Sequence, residues 1–580
     1  MEIDMEENWI LRNRKYKALA ERLHVDPLLA KIIANRVEPE EAEDFWNKDA
    51  PLENPFLMAD MEVAVTLILA HIEVHSKIKI IGDYDVDGIS SAAILYRGLT
   101  GLGADVSVRI PSRMEDGYGI HKGMIQDCQG EGVRLILTCD NGIREFEAAA
   151  YAREVGLDLV ITDHHEITPD ENGADVLPAA DAILNPHRQD CAYPYKQLCG
   201  AGVAFKLMEA LYERQKQDKR QLENLLGLAA LATICDVCPL LGENRRIVYR
   251  GLEQLNTNPI TGIRALMQQG DIGRMDVYTC GYVIGPMLNS GGRLERQDKY
   301  IDILIKDEAE KAAELAKDLF ELNRKRQALT EEGIQAGVAQ METQLADDMV
   351  KVVYLPEIHE SIAGLIAGKL KERYCRPVFV LTKAESGVKG SGRSIPGYSM
   401  FEEMQKVKDV FTKFGGHPMA AGLSMEETRV EEFRRRINEV STLSQEACVP
   451  CVYIDAAYPT SHVSIGLVKA LDELGPYGTG NPRPIFAEKG VELRQCRIMG
   501  KNRSVARVSF VKDGEPAEGV LFRLELLQRV ILARYGPSVW RRLEQGEYMR
   551  DVITVDLCYQ AGIHEYKGET SAQITITNIR

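Results

Sequence analysis

Three short apolar runs in the first third of this chain each end on carboxylates or imidazoles. Ile78-Lys79-Ile80-Ile81 leads to the alternating acids of Asp83-Tyr84-Asp85-Val86-Asp87-Gly88. Leu135-Ile136-Leu137-Thr138-Cys139 ends on Asp140, and Leu157-Asp158-Leu159-Val160-Ile161 leads to Asp163-His164-His165. Helical patterns separate these runs, so they read as βαβ units of a parallel sheet. In such a sheet the C-terminal strand ends share one edge, where ligands bind. Several carboxylates and two histidines gathered there repel or compete unless cations lie between them. The pattern therefore implies a metal centre, with two metals.

The chain of 580 residues allows about three or four domains of roughly 150 residues. Its 45% hydrophobic content supports ordinary cores. No apolar stretch approaches the ~20 residues of a membrane span, and the first residues are acidic where a signal peptide is basic, so no membrane association and a cytoplasmic location are expected. A net charge of −17 argues against a generally basic nucleic-acid coat. It leaves room for nucleic acid held by metals and a local arginine cleft. Of the twelve cysteines, Cys235/Cys238 and Cys448/Cys451 have the spacing of zinc ligands. The pairs are far apart in sequence, and buried, reduced thiols are the stronger expectation.

Along the chain, residues 1–50 read as a polar helical lead-in with Trp9 as an anchor. Residues 51–305 form the first α/β domain, with strands expected at 77–81, 105–110, 134–138, 157–161 and 181–184. An apolar helix over 221–235 ends on Asp236. Residues 306–346 lack proline and carry apolar positions at helical spacing, as a connecting helix would. A smaller α/β domain follows over 347–445, with strands expected at 351–355, 378–381 and 389–393. From 446 to 580 short alternating runs suggest a compact β-barrel, with helical character inside it over 515–548. The expected fold class is α/β: a parallel-sheet lobe and a smaller α/β lobe joined by a long helix, with a C-terminal barrel.

Asp83 to Gly88 also matches the opening of a calcium loop. That reading needs a glutamate at the twelfth position, where Ile94 stands, and a preceding helix instead of a strand. Adjacent histidines beside Asp163 at a strand end point to metal or phosphate contact. Oxygen ligands mixed with imidazole suit Mn²⁺ or Mg²⁺, with zinc as the alternative. In the second lobe, Lys389-Gly390-Ser391-Gly392-Arg393-Ser394 offers amides, a hydroxyl and a guanidinium, a phosphate-binding set. Gly415 and Gly416 allow close backbone approach to a ligand, and His417 is placed to contact phosphate or base. Arg293 and Arg113 are further phosphate candidates. Arg434-Arg435-Arg436 reads as a solvated helix face. Tyr477 and Phe486 could stack on bases or fill the barrel core.

The ordered set DYDVDG, TCDNG, DHH and CDVCPL resembles the DHH phosphoesterase superfamily. His359 to Gly364, Lys389 to Ser394, Gly415 to His417, Asn289-Ser290-Gly291-Gly292-Arg293 and Pro476 to Pro482 narrow the resemblance to the RecJ single-stranded-DNA exonucleases, over residues 50 to 580. The resemblance implies a DHH catalytic domain over 51–305, a DHH-associated substrate-binding domain over 347–445 and an OB-type barrel over 446–580. It makes Asp83, Asp85, Asp87, Asp140, His164 and Asp236 candidate ligands of two ions, Mn²⁺ or Mg²⁺, with Asp140 bridging. His165 is then a catalytic contact to the scissile phosphate, oriented with its neighbour by Asp163. Arg113, Asn289, Arg293, Ser391, Arg393, Gly415, Gly416 and His417 are the implied substrate-binding residues, and a pocket reading a 5′-phosphate implies 5′→3′ polarity. Paired metals neutralise a phosphodiester, lower the pKa of bound water and stabilise the leaving oxygen. Single-stranded DNA is the implied substrate, in repair and recombination. A helicase and a single-strand-binding protein are the implied partners of a monomeric enzyme.

The chain departs from the family pattern at Ser290-Gly291, where two alanines are usual, and at Glu295-Arg296. These positions leave the metal set intact and bear on substrate preference. The rival readings are a DHH phosphodiesterase for cyclic dinucleotides or short oligoribonucleotides, disfavoured by the barrel, and a catalytically dead scaffold, disfavoured by the complete ligand set.

Overall fold

The parallel runs form the sheet that their pattern requires. A computed structural model describes residues 7–580 except 113–116, 118, 219, 385, 501 and 567 and the side chain of 566. The chain divides into two compact units: residues 54–236 with 250–450, and residues 9–53 with 237–249 and 451–580.

In the first unit, strands β1 (Lys77–Ile81), β2 (Asp105–Arg109), β3 (Val133–Cys139), β4 (Asp158–Thr162) and β5 (Ala182–Leu184) make one parallel sheet in the order β2-β1-β3-β4-β5. All five occupy the stretches expected from sequence. The order reverses between β1 and β3, and in open α/β sheets that switch point is where ligands bind. Helices α1 (Val86–Gly101), α2 (Gly200–Arg214) and α3 (Arg220–Cys235) pack together beside it. A further helix, α4 (Gly285–Leu294), packs on the long helix α5 (Ala309–Thr343), the proline-free connector. Farther along, α5 meets helix α6 (Ala363–Tyr374). A Cβ at Gly333 or Gly337 would lie 2.3 Å from Ile366 or 2.7 Å from Leu370, so the two glycines let these helices close on one another.

The second sheet of this unit has β6 (Lys351–Tyr354), β7 (Val378–Lys383), β8 (Val388–Arg393), β9 (Lys413–His417) and β10 (Ala420–Met425), in the order β9-β10-β8-β7-β6. Only β6 and β7 run parallel. Gly415, Gly416 and His417, where the sequence predicts no strand, belong to a hairpin strand. The run Phe414-Gly415-Gly416 has little intrinsic β preference, and pairing along β10 supplies what the residues lack. Gly416 sits at φ 154°, where a Cβ would lie 2.4 Å from the Ala420 carbonyl oxygen.

In the second unit, strands Phe486–Met499, Val505–Lys512, Glu515–Leu521, Glu569–Ile579 and Thr554–Tyr566 pair in that sequence, and the last pairs back to the first. The result is a closed barrel of five strands, with the short strand Ala456–Ala457 paired onto the first of them. The helical character expected from residue 515 begins only at 524. Glu515–Leu521 is a barrel strand, and the helix Leu524–Glu544 is broken at Gly536 ahead of Pro537. Residues 9–53, read as a lead-in, share this unit's core, where Ile32, Ile33 and Phe45 cluster with Phe486, Leu493 and Phe510. Phe486 is fully buried and serves packing, not base stacking, while Tyr477 packs partly buried against the same core, donates its hydroxyl hydrogen to the Leu471 carbonyl and has Arg483 over its ring. Arg434, Arg435 and Arg436, in the first unit, are ion-paired with Asp348, Glu439 and Asp409.

Within the barrel unit, Arg36 donates to both oxygens of Asp455 at 2.6 and 2.9 Å, with both side chains nearly wholly buried. Removing one partner leaves an uncompensated buried charge, at about 3–5 kcal/mol. Asp455→Ala should therefore lower the stability of this unit by that amount in chemical denaturation. A change below about 1 kcal/mol would contradict the pairing.

Candidate metal centre

The site is assembled by backbone amides that grip carboxylates. Beyond β1, Asp85 caps α1, its Oδ1 accepting from the amides of Asp87 at 2.9 Å and Gly88 at 3.1 Å. Gly88 has no Cβ, which would lie 2.5 Å from the backbone of Asp83. Asp87 accepts from the first amides of α2, Gly200 and Ala201, each at 2.7 Å. That interaction is favourable twice over, through hydrogen bonds and through the helix dipole. Asp140 follows β3 in a left-handed conformation, φ 61°. Gly200 makes room for it, since a Cβ there would sit 2.7 Å from the Asp140 Cβ. Strained conformations of this kind cluster at functional sites.

After β4, Asp163 is buried and accepts four hydrogen bonds. They come from the amides of Ile143 (3.0 Å), His164 (2.7 Å) and His165 (3.1 Å), and from His165 Nδ1 (2.7 Å). Asn185 donates to the His165 carbonyl at 2.9 Å and completes the clamp. His164 turns the other way. Its Nε2 lies 3.0 Å from Asp140 Oδ1 and 3.5 Å from Asp87 Oδ2, and its Nδ1 lies 4.0 Å from Asp236 Oδ2. Asp163 thus orients the ring of His165, while the ring of His164 faces the carboxylates.

Three donor groups result, each with its ligand atoms within 4.8 Å of one another: Asp83, Asp85 and Asp140; Asp87, His164 and Asp236; Asp140, His164 and His165. All six sequence candidates for metal ligation come together, and Asp140 belongs to two groups. The electrostatics fit the chemistry of a divalent cation. Burial, then repulsion from Asp87, Asp85 and Asp83, pushes Asp140 well above the usual carboxylate range. Burial and Asp87 likewise raise Asp85. Asp163 is the exception: burial acts to raise it, but the hydrogen bond and charge of His165 and the Ile143 amide bring it below its ordinary value. Burial works against the charged form of His165, yet Asp163 raises its pKa. Asp163 and His165 therefore favour each other's charged form, whereas the repulsion at Asp85 and Asp140 is of the kind a bound cation relieves.

A cavity of about 470 Å³ adjoins this centre and is lined by Tyr84, Asp85, Asn289, Arg293, Ser391 and Arg393 among others. Asp85 is common to the cavity and the carboxylate cluster. Arg293 donates to the Ser361 carbonyl at 2.8 Å, and Arg393 donates to Ser391 Oγ at 3.0 Å and to the Gly392 carbonyl at 2.8 Å. A Cβ on Gly364 would lie 2.8 Å from Arg393 Nη2. Ala363 and Gly364, the first residues of α6, also line the cavity, and a helix N-terminus favours an anion. Gly415, Gly416 and His417 do not line it; they are exposed on β9, while Gly422 and Ser424 of the adjacent β10 do. Arg113 lies outside the described residues. Ser361 and Gly364 escaped the residue-level reading, although Glu360-Ser361 before an apolar helix signals a helix start. The Gly200–Ala201 clamp on Asp87 was also missed. At Ser290 and Gly291 the usual alanines give way to a hydroxyl bonded to the Met287 carbonyl and a glycine against Gln297 and Tyr300.

A parallel-sheet lobe with acids and paired histidines at its switch point defines a DHH-type phosphoesterase domain. Residues 77–233 match the family model described as the DHH family, N-terminal domain; 347–442 match the DHHA1 domain and 454–578 the RecJ OB domain. The chain is 33% identical to the single-stranded-DNA-specific exonuclease RecJ of Salmonella typhimurium, over 90% of each. It is 35% identical to RecJ of Bacillus subtilis over 89% of this chain and 66% of that one. The structure is similar to that of RecJ in complex with Mn²⁺ from Thermus thermophilus, with TM-score 0.80 and 26% identity, covering 99% of this chain and 79% of that chain. This chain belongs to the RecJ family.

Because Asp140 and Asp85 are raised in the metal-free protein, the stability they contribute is present at low pH and is lost as pH rises through their folded values. Cations relieve that loss. The Mn²⁺-induced rise in Tm should therefore grow from pH 6 to pH 8 in thermal scans. A rise that is the same at both pH values would contradict the electrostatic account.

Proposed function

We propose that this protein is a metal-dependent exonuclease that hydrolyses single-stranded DNA from the 5′ end to 5′-mononucleotides. The observation that carries the reading is the cavity in which Asp85 of the carboxylate cluster and Ser391 and Arg393 of the second lobe face one space. A terminal phosphate held by Arg293, Ser391 and Arg393 lies one nucleotide from the reacting linkage, so each turnover frees a single nucleotide. The guanidinium groups recognise phosphate oxygens by charge-assisted hydrogen bonds.

Mn²⁺ or Mg²⁺ fits the donor set of Asp83, Asp85, Asp87, Asp140, His164 and Asp236, and two such ions would supply charge neutralisation and an activated water. The chain's own residues do the rest. Asp163 pairs with His165 Nδ1 and fixes its ring, which leaves Nε2 for a non-bridging oxygen of the scissile phosphate. Asn185 holds the same histidine by its carbonyl. No sequence-reading surface is required, because the groups lining the cavity address phosphates.

Relatives whose names specify single-stranded DNA support this reading over cyclic dinucleotide hydrolysis. A helicase to open duplex and a single-strand-binding protein are the partners we propose. No helix among the described residues is long and apolar enough to cross a membrane. A cytoplasmic location and a monomeric state are part of the proposal.

End-labelled single strands, duplex and a cyclic dinucleotide, each incubated with the protein and Mn²⁺, test the reading. Release of the 5′ label as mononucleotide from single strands alone is expected. Preferential turnover of the cyclic dinucleotide would contradict it. Arg393→Ala should reduce the preference for a 5′-phosphate over a 5′-hydroxyl end by about tenfold or more, the scale of a hydrogen bond to a charged group; undiminished preference would remove the end-binding role of this residue.

A further inference from the structure

Two aromatic rings stand in solvent close to this site. Tyr278 and Tyr282 are 65% and 69% exposed. Their rings lie against each other, with centroids 5.1 Å apart and planes inclined by 24°. Neither is buried in a core, and an exposed pair of stacked rings contributes little to folding.

The segment beneath them is firmly held. Asn256 grips Met275 at both polar ends, donating to its carbonyl at 2.8 Å and accepting from its amide at 2.8 Å. Asp276 and Thr279 then form a reciprocal cap. The chain continues through one π-helical turn, Cys280–Ile284, into α4. Pro286 has no N–H for the carbonyl of Tyr282, which accounts for the widened turn. The Cys280 carbonyl accepts from Cys235 Sγ at 3.6 Å. The turn is therefore seated on the end of α3, where the next residue is Asp236, a member of the carboxylate cluster.

The far end of the same continuous helix carries Asn289, Gly292 and Arg293, which line the phosphate cavity. Tyr282 lies seven positions before Asn289, a rise of about 10 Å, or roughly three stacked nucleotides. Arg274, exposed on the same segment, offers positive charge for a backbone passing there.

We propose that Tyr278 and Tyr282 form a stacking platform for nucleobases of the substrate strand, about three nucleotides from its anchored 5′ end. The inference rests on the nuclease reading above and extends it to a site beyond the catalytic cavity. Bases of a single strand have free faces that an aromatic ring can cover, whereas duplex bases are already stacked and paired. The platform would thus favour unpaired strands without reading their sequence.

The test compares wild type, Tyr278→Ala/Tyr282→Ala and Tyr278→Phe/Tyr282→Phe as full chains with Mn²⁺. The substrates are a 5′-phosphorylated dinucleotide, too short to reach the platform, and a 5′-phosphorylated 12-mer of thymidylate. The alanine pair should raise KM for the 12-mer by about tenfold, leave kcat unchanged and leave dinucleotide turnover at the wild-type level. The phenylalanine pair, which keeps both ring faces, should restore the 12-mer KM. An unchanged 12-mer KM in the alanine pair would overturn the platform. So would equal losses on both substrates, because damage to the fold does not distinguish strand length. A wild-type protein inert towards the 12-mer would instead overturn the nuclease reading, and the platform with it.

Discussion

Mutual repulsion among buried carboxylates is the constraint around which this protein is arranged. Asp83, Asp85, Asp87 and Asp140 converge from two strand ends, Asp236 arrives from a helix end, and His164 stands between them. Left to themselves, such groups lower their repulsion by taking up protons, as the raised values of Asp140 and Asp85 record. Packing the acids so closely is tolerable only because amides of the Gly200 helix and of the Asp85 cap hold them in place. Divalent cations complete the balance and turn an electrostatic liability into a site for a phosphodiester.

The same constraint explains where the chain places its glycines and its strain. Gly88 and Gly200 stand where a Cβ would strike Asp83 or Asp140. Asp140 keeps a left-handed backbone that an aspartate adopts at some cost. The second lobe contributes a complementary arrangement of glycine, serine and arginine around Ser391 and Arg393, opening on the same cavity as Asp85. The first lobe gathers negative charge and the second brings Lys389 and Arg393 to the same cavity, the charge arrangement on which the proposed binding of a terminal phosphate rests.

Much of this was legible in sequence because hydrophobic runs and polar termini follow the period of a parallel sheet. The five strands of the first lobe and the long connector follow from local pattern, and the six ligand candidates from the ordered motifs that carry the family resemblance. What escaped depended on tertiary pairing. The Gly415-Gly416-His417 segment carries no strand signal of its own, and only pairing with Ala420–Met425 makes it one. Glu515–Leu521 resembles loop or helix until the barrel closes around it. The grip of Gly200 and Ala201 on Asp87 spans more than a hundred positions, and no local pattern announces it. The tyrosines at 278 and 282 were unremarked for a similar reason: spacing alone does not separate an exposed aromatic pair from a core pair.

The central claim is that the gathered acids and His164 hold divalent ions at the strand edge. Anomalous diffraction from crystals grown with Mn²⁺ addresses it directly. Two manganese peaks about 3.5–4 Å apart, with Asp140 touching both, are the result this account requires. Manganese absent from the cluster, or bound at a position that Asp140 does not reach, would contradict it.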